Sequence, residues 1–311
     1  MIIVQKVFKT IDEQVEILRQ KGLIIDDADQ VKEILLRENY FFISGYRHLF
    51  LLNSKSKNFK PNTEFRELYA LFNFDRQLRN IIFKNILIVE NNIKSIFSYE
   101  LSKNYGIKEE DNLKPSNFNT NKEKNRQVND LLRKIKRQIR INGGQHSATT
   151  HYIYNYGYIP LWVVVKVLSF GIVCELYSIM KPNDQREIAD TFKLNVDDLL
   201  SYLPILSNYR NLCAHEDILY NHRTATMIPN NNYHKLLNIS MSDGEYVEGK
   251  NDLFALILIL KRMLLDNDFR LLIKEIDYEK TILESKLKTI SVNDVLSNMG
   301  FPINYTDLLN L

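Results

Sequence analysis

Glycine and proline are scarce in this sequence, 10 and 7 in 311 residues. Too few turn-formers remain for the tight turns of a β-sandwich, and long helices are favoured instead. Cysteine is scarcer still. Cys174 and Cys213 both sit among apolar neighbours, as buried free thiols of a reducing compartment do. No Cys/His cluster has zinc spacing, so no metal is expected. There is no P-loop, no dinucleotide fingerprint and no internal repeat, and no cofactor is expected. The longest clear apolar run, Leu253–Leu260, is far too short to cross a bilayer as a helix. Gln5, Lys6 and Lys9 interrupt the start, which leaves no signal peptide in view. The expectation is a soluble cytoplasmic protein with no membrane partner. Net charge is nearly absent too: 41 Lys and Arg against 38 Asp and Glu give +3. Any nucleic-acid surface must therefore be local.

What is present is helical pattern. At 45% hydrophobic the chain can bury a substantial core, as one large or two smaller domains. Thr10–Glu13 reads as a capping box, with Gly22 closing the first helix. Asp26 or Asp27 caps a second, carrying Val31, Ile34 and Leu35. Tyr40 to Leu52 is dense in aromatics, read as core, with an RNA-stacking surface as the alternative. From Thr63 to about Tyr105, apolar residues recur at three- and four-residue steps, from Leu68 to Phe97. That predicts a core-facing helix pair or one long kinked helix. Residues 106–159 are the least regular stretch. His151 and the series Tyr152, Tyr154, Tyr156 and Tyr158 suit an extended segment. A helix should start at Leu161 with a stripe of Trp162, Val165, Leu168 and Ile172. Pro182–Asp184 reads as a turn, and Asn195 caps the helix Val196–Leu206. Pro204 either kinks that helix or begins another. His222 falls in a loop, and His234 reads as surface. The closing helices are expected at Leu253–Leu265, Phe269–Ile276 and Asn293–Met299.

Two features carry chemistry. Lys122, Lys124, Arg126, Arg133, Lys134, Lys136, Arg137 and Arg140 crowd one stretch against only Glu123 and Asp130. Leu131, Leu132, Ile135 and Ile139 give it an apolar stripe, so Val128–Ile141 is an amphipathic basic helix. A solvated face is the plain reading. On a nearly neutral protein such a concentration favours an anionic partner, and RNA is the choice. The second feature is Tyr209–His215. Arg210 and His215 are five positions apart on a helix, and Asn211 and His215 share a face. Arginine can hold phosphate oxygens, and histidine can move a proton to or from a ribose hydroxyl. Tyr209, Leu212 and Cys213 should face the core, leaving Arg210, Asn211 and His215 outside. The structural alternative is a helix-end Arg and a capping His.

Arg210–His215 followed by Tyr220–Arg223 resembles the R-N-x-x-A-H motif of HEPN-domain proteins. More narrowly, the chain resembles the Abi-like (AbiD/AbiF-type) abortive-infection family. Asn39–Tyr40 with Ser44–Tyr46, Leu68–Tyr69 with Phe74–Arg79, Pro160–Trp162 with Val167–Gly171, and Met299–Pro302 match its other stretches in order. Lys166 stands where many relatives carry a carboxylate, and Glu216 where many carry a second His. Glu90 falls on a recurring Glu of the family, with Lys94 at i+4. It makes an ordinary helix ion pair, or orients Arg210 or His215 across a helix interface.

The resemblance implies an all-α, HEPN-like helical bundle. Residues 1–60 form an N-terminal helical region, 61–225 the core with its basic insertion at about 106–159, and 226–311 the C-terminal helices. It implies a phage-defence protein of abortive-infection or toxin–antitoxin type that binds structured RNA. It also implies a metal-independent endoribonuclease with Arg210 on the scissile phosphate, His215 as proton carrier and Asn211 orienting either. The alternative is a non-catalytic protein forming a ribonucleoprotein with a noncoding RNA. A homodimer with Arg210 and His215 near its axis is expected.

Overall fold

A computed structural model of the chain describes residues 7–311. The reading of the first residues, Gln5 and Lys6 among them, lies outside the described residues. The fold is all-α, with one two-stranded hairpin, Met241–Ser242 and Glu245–Tyr246, among the described residues. No described helix is long and apolar enough to cross a membrane.

Helices α1 (Ile11–Gln20) and α2 (Ala28–Glu38) pack together at the start. Thr10 and Glu13 form the capping box of α1, and Asp27 caps α2. Asn39, at φ +67°, ends α2 and caps the short α3 (Tyr40–Gly45) by accepting the Phe41 N–H. Asparagine tolerates this left-handed backbone better than most residues.

The fold is built on α4 (Phe65–Tyr105), one continuous helix of 41 residues and about 60 Å. No glycine or proline interrupts it until Gly106 ends it. Leu68, Leu71, Leu78, Ile82, Ile86, Val89 and Ile93 are buried along one side. Glu67, also buried, ties its first turn to the C-terminal segment by accepting the Lys288 and Thr289 N–H groups.

Next come α5 (Glu109–Asn112), the basic α6 (Lys122–Asn142), α7 (Ser147–Tyr156), α8 (Leu161–Val167) and α9 (Phe170–Ile179). Then follow α10 (Pro182–Thr191), α11 (Val196–Ala214) and α12 (Asn232–Leu236). The chain closes with α13 (Leu253–Met263), α14 (Asp266–Glu284) and α15 (Val292–Asn298). α4 packs against α8, α10, α11, α13 and α14, while α9 lies between α6 and α11. Leu253–Leu260 is buried throughout, so this apolar run is spent on the core. Gly300 meets Asp252, the cap of α13, so closely that a Cβ would lie 2.1 Å from the carboxylate. That contact requires glycine in the Met299–Pro302 stretch.

Several expectations are corrected. Tyr152, Tyr154 and Tyr156 lie on α7, capped by His146 and ended at Gly157, and not on an extended segment. Its apolar surface is too scattered to print a helical stripe on the sequence. Pro182 starts α10 in place of a free turn, using the position where a missing N–H costs nothing. The stripe over Trp162–Ile172 is broken at Leu168–Ser169 into α8 and α9, and Trp162 points outward at 42% exposure. His234 is buried, not on the surface. Its Nε2 meets the Gly249 carbonyl at 2.8 Å, Nδ1 accepts the Asn231 N–H, and the ring stacks on Tyr246. Phe41 and Phe42, expected in the core, are exposed at 75% and 51%, while Tyr46 and Phe50 are buried as expected.

Candidate functional site

α11 presents the motif. Asn195 caps it by accepting the Asp198 N–H at 2.7 Å, and Asp197 and Asp198 load its first turn. Pro204 stands inside the helix without ending it. Leu199, Tyr202, Leu206, Tyr209, Leu212 and Cys213 are buried; Asn211 and His215 are exposed and Arg210 is half-buried. Burial pushes the Cys213 thiol up to about 12, so it is a packing group and no nucleophile.

Arg210 is held at one end and free at the other. Its Nε lies 3.4 Å from Oε2 of Glu90, a buried carboxylate on α4. The other oxygen, Oε1, accepts Lys94 Nζ at 2.7 Å. The guanidinium carbon stands 5.8 Å from the centroid of the Phe83 ring, also on α4. No protein group among the described residues bonds the two terminal nitrogens. These are the nitrogens whose fork geometry suits phosphate. Lys166 donates to Asn91, the residue after Glu90, at 3.4 Å.

His215 ends α11 as its C-cap, with its N–H on the Asn211 carbonyl. Its imidazole is exposed and makes no hydrogen bond to a described residue. Glu216 follows at φ +58°, and the Asp217 N–H reaches back to the Leu212 carbonyl at 3.1 Å. This is a Schellman ending, and a residue other than glycine in that left-handed position costs about 1 kcal/mol. The Asn211 side chain opens onto a groove of about 400 Å³ between α9 and α11, lined also by Glu175, Ser178, Ser207 and Asn208. It does not bond the His215 ring. His222 lies in the loop beyond, with Nε2 2.6 Å from Asn208 Oδ1 and its ring edge-on to Tyr209. Burial and the neighbouring Arg223 lower its pKa.

A group the sequence reading passed over fixes the chain after His215. Asp75, fully buried on α4, accepts the Tyr46 hydroxyl at 2.6 Å and the Leu219 and Tyr220 N–H groups at 3.0 and 2.7 Å. Arg79 bonds the same carboxylate, the Tyr46 oxygen and the Asp217 carbonyl. Gly45 packs on Ile218, where a Cβ would lie 2.5 Å from the side chain. Thus Ser44–Tyr46, Phe74–Arg79 and the stretch after His215 meet at one point. The signal was available: Asp75 and Arg79 stand on the apolar phase of α4, among Leu71, Leu78 and Ile82.

The basic residues lie apart from Arg210 and His215, on α6 beyond α9. Val128, Leu131, Leu132 and Ile135 bury the inner face of α6. Lys124 donates to the Ser178 carbonyl, Lys134 pairs with Glu175, and Arg133 and Arg126 share Asp130. Lys122, Lys136, Arg137 and Arg140 point outward, with no carboxylate partner among the described residues.

Fold and motif together define a helical bundle that exposes an anchored arginine and an unengaged histidine at one helix end. The profile of the Abi-like protein family matches residues 33–221, well over half of the chain, and the chain belongs to that family. It is a protein of the abortive-infection, phage-defence class. No curated protein and no solved structure matches it.

Proposed function

We propose that the protein is a metal-independent endoribonuclease, working on RNA held in part by α6. The observation that carries this reading is Arg210, fixed through Nε to Glu90 with its terminal nitrogens open, on the same helix end as the exposed His215. In the proposed reaction Arg210 binds the scissile phosphate. The ribose 2′-oxygen forms a bond to phosphorus while the bond to the 5′-oxygen breaks. One histidine takes the 2′-hydroxyl proton and a second gives a proton to the leaving 5′-oxygen. The products are a 2′,3′-cyclic phosphate and a 5′-hydroxyl.

One chain offers one histidine in the motif, since Glu216 occupies the next position. Two chains across a two-fold axis offer two, with two arginines around the phosphate. Leu87 and Ile88, exposed on α4 within a turn of Glu90, support a contact there. Light scattering over a concentration series should give twice the 36.7 kDa of one chain. A strict monomer at every concentration, with undiminished cleavage, would sink the shared site.

Replacing Arg133, Lys134, Lys136 and Arg137 together by glutamate should abolish binding of structured RNA and flatten its salt dependence. All four side chains are exposed, so the helical circular-dichroism signal should stay. Unchanged affinity and salt slope would remove α6 from the interface. The separation of α6 from His215 by α9 favours a second reading, in which α6 holds a noncoding RNA in a ribonucleoprotein without cleavage. EDTA separates nothing between these two readings, but it tests the first: a divalent requirement for bond breaking would contradict it.

A further inference from the structure

A cavity of about 1400 Å³ opens beside the motif, between α3, the 3₁₀ turn Tyr46–Phe50, α4 and the residues after His215. Glu216, Asp217 and Ile218 form one wall, so the cavity continues directly from the end of α11. Its lining is cationic. Lys21, Arg37, Arg47, Lys57, Arg76 and Arg79 face it, against Glu38, Glu216 and Asp217. Arg76 is held by Glu38, Arg79 by Asp75 and Arg37 by Glu33. Arg47, Lys57 and the neighbouring His48 have no carboxylate partner among the described residues.

Phe41 and Phe42 also line the cavity, their rings 5.8 Å apart and edge to face. The cavity thus sets two exposed apolar rings on the same lining as cations that no carboxylate neutralises. A protein core explains neither. Exposed rings with cations alongside match what a single nucleic-acid strand needs: flat faces for bases and positive charge for the backbone. A duplex keeps its bases stacked on each other and has no use for the rings.

We infer that this cavity binds single-stranded RNA, stacking bases on Phe41 and Phe42 and holding phosphates with Arg47 and Lys57. It rests on the nuclease reading only for its purpose, which is to lead a strand to His215. The bound strand reaches the motif past Glu216, where the cavity ends.

The test uses the full chain and fluorescence anisotropy with a short fluorescein-labelled 2′-O-methyl oligouridylate. The methyl group removes the attacking hydroxyl, so binding is read without cleavage. Phe41→Ala/Phe42→Ala should lower affinity about tenfold or more, the scale of base–aromatic stacking. Arg47→Glu/Lys57→Glu should lower it further at low salt and flatten its salt dependence. Binding of a blunt RNA duplex should not change in either variant. Wild-type affinity for the oligouridylate in both double variants would overturn the inference. So would loss of self-association with oligouridylate binding intact, which would make the aromatic rim a contact between copies. His215→Ala separates the two readings, since it leaves every cavity residue in place. If that variant still cleaves RNA while the cavity variants lose the single strand, the nuclease reading fails and the cavity stands. If it stops cleaving while the cavity variants bind as wild type, the cavity fails and the nuclease stands.

Discussion

Arg210→Ala and His215→Ala should each lower RNA cleavage by about 10²–10⁴, the usual cost of losing a proton carrier or a charge clamp. Neither should move the melting temperature by much. His215 bonds no described residue through its ring, and its backbone cap survives the substitution. Arg210 leaves behind Glu90, but that carboxylate keeps Lys94 at 2.7 Å and is not stranded. The two results together distinguish chemistry from folding. Toxicity or phage protection in cells should fall in parallel with cleavage. A His215→Ala protein that binds RNA and protects cells as well as wild type would favour the ribonucleoprotein. A Glu90→Gln variant should fall between wild type and Arg210→Ala, because the arginine stays but loses its charged anchor.

Asp75→Ala should be the most destabilising single change near the site. It strands Arg79, itself almost wholly buried, together with the Tyr46 hydroxyl and two backbone N–H groups. Breaking a buried pair on one side typically costs about 3–5 kcal/mol. Urea unfolding should register that loss, and Asp75→Ala/Arg79→Leu should recover part of it, because the stranded charge goes too. Cleavage should fall even at temperatures where the single variant stays folded, since residues 217–220 lose what holds them. A loss of under about 1 kcal/mol would mean that the network is solvated and holds nothing.

The long helices were legible because burial on one side leaves a three- and four-residue rhythm. α4 prints it over nearly its whole length, and its lack of glycine and proline matches its continuity. Most of the facing of α11 was legible for the same reason: Tyr209, Leu212 and Cys213 point inward and Asn211 and His215 outward, while Arg210 is half-buried against α4. Non-local partnership was not legible. Nothing near His234 announces the Gly249 carbonyl, which lies 15 residues on and buries it. Nothing in Phe41–Phe42 distinguishes a core pair from a cavity rim, because hydrophobicity alone does not say which side faces water. α7 escaped because a mostly exposed helix has little rhythm to print. Asp75 escaped for the opposite reason: a single charge inside a strong apolar rhythm does not show on the sequence that it is buried with that rhythm.

Asp75 and Glu90 stand on the same helix, fifteen residues apart. At ordinary helical pitch that is about 22 Å along the axis and about 60° around it. One anchors the chain after His215 and the other anchors Arg210, so α4 acts as a ruler between them. Inserting or deleting a single residue between positions 75 and 90 would turn one anchor by about 100° relative to the other. The side chains could all be kept and the arrangement would still be lost. For this stretch of α4 the number of residues is as constrained as their identity.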